Sequence, residues 1–173
     1  MRWDALFADL QAQWEDQRHQ DLEAETVEAV EIERARMPLA DRLRAHTGSS
    51  LQLELPSAGR IECEIGEVGS DWLSGQHRGR SILISLDAVL AVHSLGWKAK
   101  PEASVARRRL SITSPLRALA QHREEVTVTT ASAGPPVEGV LYAAGQDHFD
   151  LADQQRRLTI PVSALVMLRS RRY

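Results

Sequence analysis

Cysteine, lysine and aromatic residues are what this 173-residue chain has least of: one cysteine, two lysines beside nineteen arginines, and an aromatic share of 5%. The single thiol, Cys63, excludes an intramolecular disulfide and fits a reducing compartment. The shortage of aromatics leaves few platforms for base stacking; beyond position 95 they are Trp97, Tyr142, Phe149 and Tyr173. No run of 18 apolar residues occurs, which excludes a membrane-spanning helix. The start, Met1-Arg2-Trp3-Asp4, lacks the charged-then-apolar pattern of a secretory leader, so a cytoplasmic protein is expected. A Gly-rich phosphate loop, a Gly-x-Ser-x-Gly elbow and a His-Glu-x-x-His pair are all missing, and the six histidines have no metal-ligand spacing. The chain is therefore expected to be no enzyme, with no catalytic residue, metal or cofactor.

What the chain does have is a repeat. Val68-Gly69-Ser70-Asp71-Trp72-Leu73 followed by Arg80 to Val89 returns 76 positions later as Ala144-Gly145-Gln146-Asp147-His148-Phe149 followed by Arg156 to Leu165. Asp71 and Ile84 are 13 positions apart, as are Asp147 and Ile160, so the register survives a turn, two strands and a loop. Asp71 and Asp147 sit at equivalent turns, where a carboxylate can accept backbone N–H groups.

Around the repeat the hydrophobic period changes. Trp3, Leu6, Phe7, Leu10 and Trp14 share one face of a helix. A weaker helical pattern runs on to Met37, and a short helix is expected over 39–46 behind Pro38. Beyond Gly48 the period is two: Leu51, Leu53 and Leu55, then Ile61, Cys63 and Ile65 against Glu62 and Glu64, which places the thiol in the core. Strands are expected over 60–68, 71–76, 81–85 and 89–93, with Leu86-Asp87-Ala88 as a tight turn. The second set falls at 125–130, 137–144, 147–152, 157–161 and 165–169, behind a helix over 116–121 that Ser114-Pro115 would begin. Five short strands without a crossover helix form an antiparallel meander that closes as a small barrel.

The expected fold is mainly β with an α arm: two tandem five-stranded barrels, each preceded by a short helix, plus a long N-terminal amphipathic helix. The divisions are an acidic helical arm over 1–37, a first barrel over 38–95, a basic linker over 96–113 and a second barrel with a basic tail over 114–173.

A short helix before five bent strands, a Gly-x-Asp turn between strands two and three (Gly69 to Asp71, Gly145 to Asp147) and a tight turn before strand five resemble the Sm-like branch of SH3-like barrels over residues 38–93 and 114–169. That resemblance implies barrels that often join strand four of one to strand five of the next, and single-stranded RNA as a ligand class. The family's nucleotide-pocket motifs are absent: Trp72-Leu73-Ser74 and His148-Phe149-Asp150 follow the aspartates without the expected asparagine. Ser85-Leu86 and Pro161-Val162 stand where a basic pair would enter strand five. The resemblance thus carries architecture and no nucleotide pocket.

Charge is split along the chain: net −6 over residues 1–37, −2 over 38–95 and +5 over 96–173. Two binding modes follow. Arg107, Arg108, Arg109, Arg156, Arg157, Arg171 and Arg172 are expected to meet phosphates of RNA or DNA, the usual footprint of a basic strip. Alternatively, Trp3, Leu6, Phe7, Leu10 and Trp14 engage a protein partner or a second copy, making the chain an adaptor or self-assembly module.

Overall fold

The computed structural model describes residues 30–132, 134–153 and 156–171. The chain divides into two units after Met37. In the shorter unit residues 30–35 are helical; the stripe from Trp3 to Trp14, and with it the expected long N-terminal helix, lies outside the described residues. Among the described residues no helix is long and apolar enough to cross a membrane.

The larger unit begins with α1 (Leu39–Arg44) and the strands β1 (Ser50–Leu55), β2 (Gly59–Val68), β3 (Trp72–His77), β4 (Arg80–Ser85) and β5 (Ala91–His93). After the connecting segment, which carries α2 (Val105–Arg108), come α3 (Thr113–Gln121), β6 (Glu125–Thr130), β7 (Val137–Ala144), β8 (His148–Ala152), β9 (Arg157–Pro161) and β10 (Leu165–Ser170). The period-two rule shows on β2, where Ile61, Cys63 and Ile65 are buried while Arg60, Glu62 and Glu64 are exposed, and on β8, where Phe149 and Leu151 are the buried residues. Single 3-10 turns, Leu86–Ala88 and Val162–Ala164, precede the last strand of each half.

The halves repeat each other's strand pairing. Leu53 pairs with Val92 as Val128 pairs with Leu168, Glu64 with Gln76 as Val140 with Ala152, and Trp72 with Ser85 as His148 with Pro161. At the turn before strand three, the Gly69 N–H donates to the Trp72 carbonyl and the Gly145 N–H to the His148 carbonyl, both at 2.8 Å. The Leu86 N–H reaches the Asp71 carbonyl at 2.8 Å, and the Val162 N–H the Asp147 carbonyl at 2.7 Å.

Two separate closed barrels are not what the strand pairing forms. All ten strands make one antiparallel sheet in the order β5-β1-β2-β3-β4-β10-β6-β7-β8-β9, open at β5 and β9. The seam is β4 against β10, Ile82 opposite Arg169, Leu83 opposite Leu168 and Ile84 opposite Met167. Both strands carry consecutive apolar residues, so both of their faces are covered. Val166 and Met167 of the second half complete the first core with Leu53, Ile65 and Ile84. Trp72 and Leu83 of the first half complete the second core with Leu116, Phe149 and Leu168. Each such exchange of a fully buried aliphatic side chain contributes about 1.5–3 kcal/mol of apolar burial, so neither half holds a complete core alone.

The connecting segment is strapped down. Arg42 donates to the carbonyls of Leu95 and Gly96 and lies 4.3 Å over the Trp97 ring. Arg44 pairs with Asp41 and donates to the Val68, Gly69 and Lys100 carbonyls. Helix α2 was not expected in a segment lacking an apolar period; the Ser104 hydroxyl caps it by accepting the Arg107 N–H at 3.3 Å. Helix α3 also starts earlier than Ser114-Pro115 suggests. Asp71, from the first half, accepts the Ile112 N–H at 2.9 Å and anchors the residue that precedes the helix, which has no side-chain cap.

Candidate nucleic-acid interface

The arginines expected to form one basic strip fall into three places. Arg107 and Arg108 lie on α2 and Arg109 ends it. Arg107 faces Glu67 at 3.9 Å, both side chains largely in solvent, and the Arg108 guanidinium donates to the Glu102 carbonyl. The Glu102 carboxylate accepts the Ser104 N–H at 2.9 Å. That bond first, and then the charges of Arg44, Arg107 and Arg108, hold its pKa below the ordinary carboxylate value. Arg107 and Arg108 thus sit in a local network around Glu67 and Glu102. Arg171 pairs with Glu138 at 3.4 Å. Arg172 lies outside the described residues.

Arg156 and Arg157 stand at the start of β9, where Asp153 and Arg156 exchange backbone bonds across the hairpin. Arg157 takes part in the one gathering of arginine around an aromatic ring in the second half that the described residues show. Its guanidinium carbon lies 5.7 Å from the centre of the Tyr142 ring, and that of Arg123 lies 5.8 Å from the same ring. Tyr142 points outward from β7, beside Leu141, which is fully buried. Arg123 follows α3 with φ of 52°, a left-handed conformation that turns the chain off the helix toward the sheet. Arg117, one turn before the end of α3, donates from Nη2 to the Gly145 carbonyl at 3.2 Å. Arg117, Arg123 and Tyr142 line one opening of about 380 Å³ with Gln121.

This arrangement offers planar guanidinium donors for phosphate oxygens beside a ring for a base. Arg117 and Arg123 were missed because they are isolated in sequence; only the packing of α3 across β7 brings them to Tyr142. Of the other aromatics, Phe149 is sealed in the core, and Trp97, half-exposed, carries Arg42 at 4.3 Å, closer than either arginine stands to the Tyr142 ring.

The repeated turns have diverged. In the first half Trp72 is buried, its indole N–H donating to the Leu110 carbonyl at 3.1 Å, and the Ser70 hydroxyl donates to the same carbonyl at 3.0 Å. In the second half His148 and Asp147 are in solvent, joined by His148 Nδ1 and Asp147 Oδ1 at 2.9 Å. Their mutual hydrogen bond raises the histidine pKa and lowers the aspartate's. Burial pushes the Cys63 thiol up to about 11. Among the described residues no group of three His, Cys, Asp or Glu side chains could hold a metal ion.

No family model, curated protein or solved structure matches this chain.

Proposed function

We propose that this chain is a non-catalytic, cytoplasmic regulatory protein that binds single-stranded nucleic acid, RNA ahead of DNA, through its second half. The observation that carries this reading is the pair of guanidinium groups flanking Tyr142, Arg123 at 5.8 Å and Arg157 at 5.7 Å. Phosphates would be met by Arg117, Arg123 and Arg157, and a base would stack on the ring, so that binding is tolerant of sequence. We further read each half as an Sm-like barrel unit. The spatial order five-one-two-three-four, present in both halves, supports that kinship.

A salt-titrated binding assay with a short single-stranded RNA tests the reading. Three phosphate contacts give a slope of log affinity on log salt of about −2, and Arg123→Gln with Arg157→Gln flattens it and weakens binding by about tenfold or more. Absence of binding at low salt, or binding indifferent to both the salt and the double variant, overturns it.

A second reading, self-assembly, is favoured by the sheet edges rather than by the N-terminal stripe. Counting from the repeat, Leu90 is the counterpart of Val166, and Leu158 of Ile82. Val166 and Ile82 are sealed at the seam, with 0% and 3% exposure, whereas Leu90 and Leu158, at the free edges, are 65% and 42% exposed. The β9 edge of one copy therefore presents to the β5 edge of another a counterpart of the seam already made within the chain. Mass in solution that rises with concentration, and falls to the monomer in Leu158→Lys, supports this reading; a monomer at every concentration removes it.

A further inference from the structure

Two side-chain nitrogens in the described residues are buried without a hydrogen-bond partner, His93 Nε2 and Arg169 Nε. They stand at the same place in the two halves. His93 lies opposite Gln52 on β1, and Arg169 opposite Thr127 on β6, the equivalent pairing of the repeat. The first half supplies its own counter-charge: the Glu54 carboxylate approaches His93 Nε2 to 3.4 Å, close enough for charge attraction though not aligned as a hydrogen bond. In the second half the residue equivalent to Glu54, facing Met167 as Glu54 faces Ala91, is Thr129, which carries no charge. A buried guanidinium nitrogen that lacks both a hydrogen bond and a counter-ion among the described residues is costly, which makes its surroundings worth following.

Arg169 lines a groove of about 250 Å³ at the seam together with Arg60, Arg78, His77, Thr127 and Thr129. None of its lining residues is acidic. The carboxylate on the same row, Glu138 opposite Thr127, is held by Arg171 at 3.4 Å. Arg60 and Arg78 have no ion-pair partner among the described residues, and His77 Nδ1 is turned away to the Glu62 carbonyl at 2.6 Å. Arg78 is also strained. It occupies the first position of the two-residue turn between β3 and β4 with φ of 51°, a place that favours Gly, Asn or Asp.

We infer that this groove is a phosphate-group site, in which a phosphate bound by Arg169, Arg60 and Arg78 takes the place that Glu54 fills in the first half. Three guanidinium groups and two hydroxyls suit the oxygens of one phosphate, with planar donors that match its geometry. The site is separate from the Tyr142 cluster and stands whether or not that cluster binds nucleic acid.

The Arg169 Nε–H resonance of the full chain reports directly. It is followed by NMR while inorganic phosphate, and in a second series a 5′-phosphorylated dinucleotide, is added at constant ionic strength with chloride as the balancing ion. A saturable shift is expected that is absent with chloride alone and at least about tenfold weaker in affinity in Arg60→Gln/Arg78→Gln. Both of those side chains are at the surface, so the fold is retained. Thr129→Glu, which transplants the first half's own carboxylate, should remove the phosphate response, while Arg123→Gln/Arg157→Gln should leave it unchanged. Tighter saturation by the dinucleotide assigns the phosphate to a nucleic acid end, and equal or tighter saturation by inorganic phosphate assigns it to the free ion. No saturable shift with either, or an undiminished one in Arg60→Gln/Arg78→Gln, overturns the site. The salt-dependent RNA assay is unaffected by that outcome, so the two proposals fail separately.

Discussion

The Trp72 indole N–H donates to the Leu110 carbonyl across 3.1 Å, so a residue of the first half closes the core of the second and holds the chain that leads into it. Removing only the donor, Trp72→Phe, should cost about 1 kcal/mol, and Trp72→Ala about 3–5 kcal/mol. Urea denaturation followed by circular dichroism measures both; equal, small losses would show that the indole bond and its packing contribute nothing across the halves.

Gly69 and Gly145 are equivalent, yet their substitution should differ. A Cβ on Gly69 would stand 2.1 Å from Trp72 Nε1, and one on Gly145 2.5 Å from His148 Cε1. Trp72 is buried and cannot swing aside, whereas the His148 ring is half in solvent. Gly69→Ala is expected to cost about 2 kcal/mol or more and Gly145→Ala under about 1 kcal/mol. The order of the two melting temperatures checks this.

Native Cys63 should resist alkylation. Its thiol is fully buried and held to a pKa of about 11, chiefly by desolvation, so the thiolate is scarce at neutral pH. A thiol reagent added at pH 8 should modify it only as fast as the protein opens, and at once in denaturant. Rapid reaction of the native chain would contradict its placement in the first core.

The His148 and Asp147 pair sets a pH dependence of definite sign. The histidine pKa is raised by its bond to Asp147, so its contribution to stability is whole below the unfolded histidine value of about 6.5 and fades as pH rises through the folded one. The aspartate pKa is lowered, so its contribution is whole above about 3.9 and fades as pH falls through the folded value. An NMR titration should place the His148 midpoint above 6.5, and Asp147→Asn should bring it down; an unchanged midpoint in that variant removes the pair.

Much of the fold was legible because alternation and turn residues survive in each half. The strands fall within a residue or two of where Leu51 to Leu55, Ile61 to Ile65 and their counterparts place them. The seam was legible in hindsight only. Ile82-Leu83-Ile84 and Leu165-Val166-Met167-Leu168 are unbroken apolar runs, the mark of strands covered on both faces, whereas Arg157-Leu158-Thr159-Ile160 alternates, as an edge strand does. The runs reveal burial without naming the neighbour. The start of α3 was not legible for the same reason: Ile112, just before it, is anchored by Asp71, 41 positions away. Of the arginines expected to meet phosphate, Arg157 alone stands at the Tyr142 cluster, and the groove residues Arg60, Arg78 and Arg169 come together through pairing that no local pattern encodes.

The joined sheet is the claim on which both the groove and the free edges rest, and amide hydrogen exchange on the full chain tests it most directly. If β4 and β10 are bonded, the amides that link them among Ile82 to Ile84 and Met167 to Arg169 should exchange only through global opening, while outward amides of β9 and β5 exchange orders of magnitude faster. Seam amides that exchange as fast as those at the two edges would contradict it.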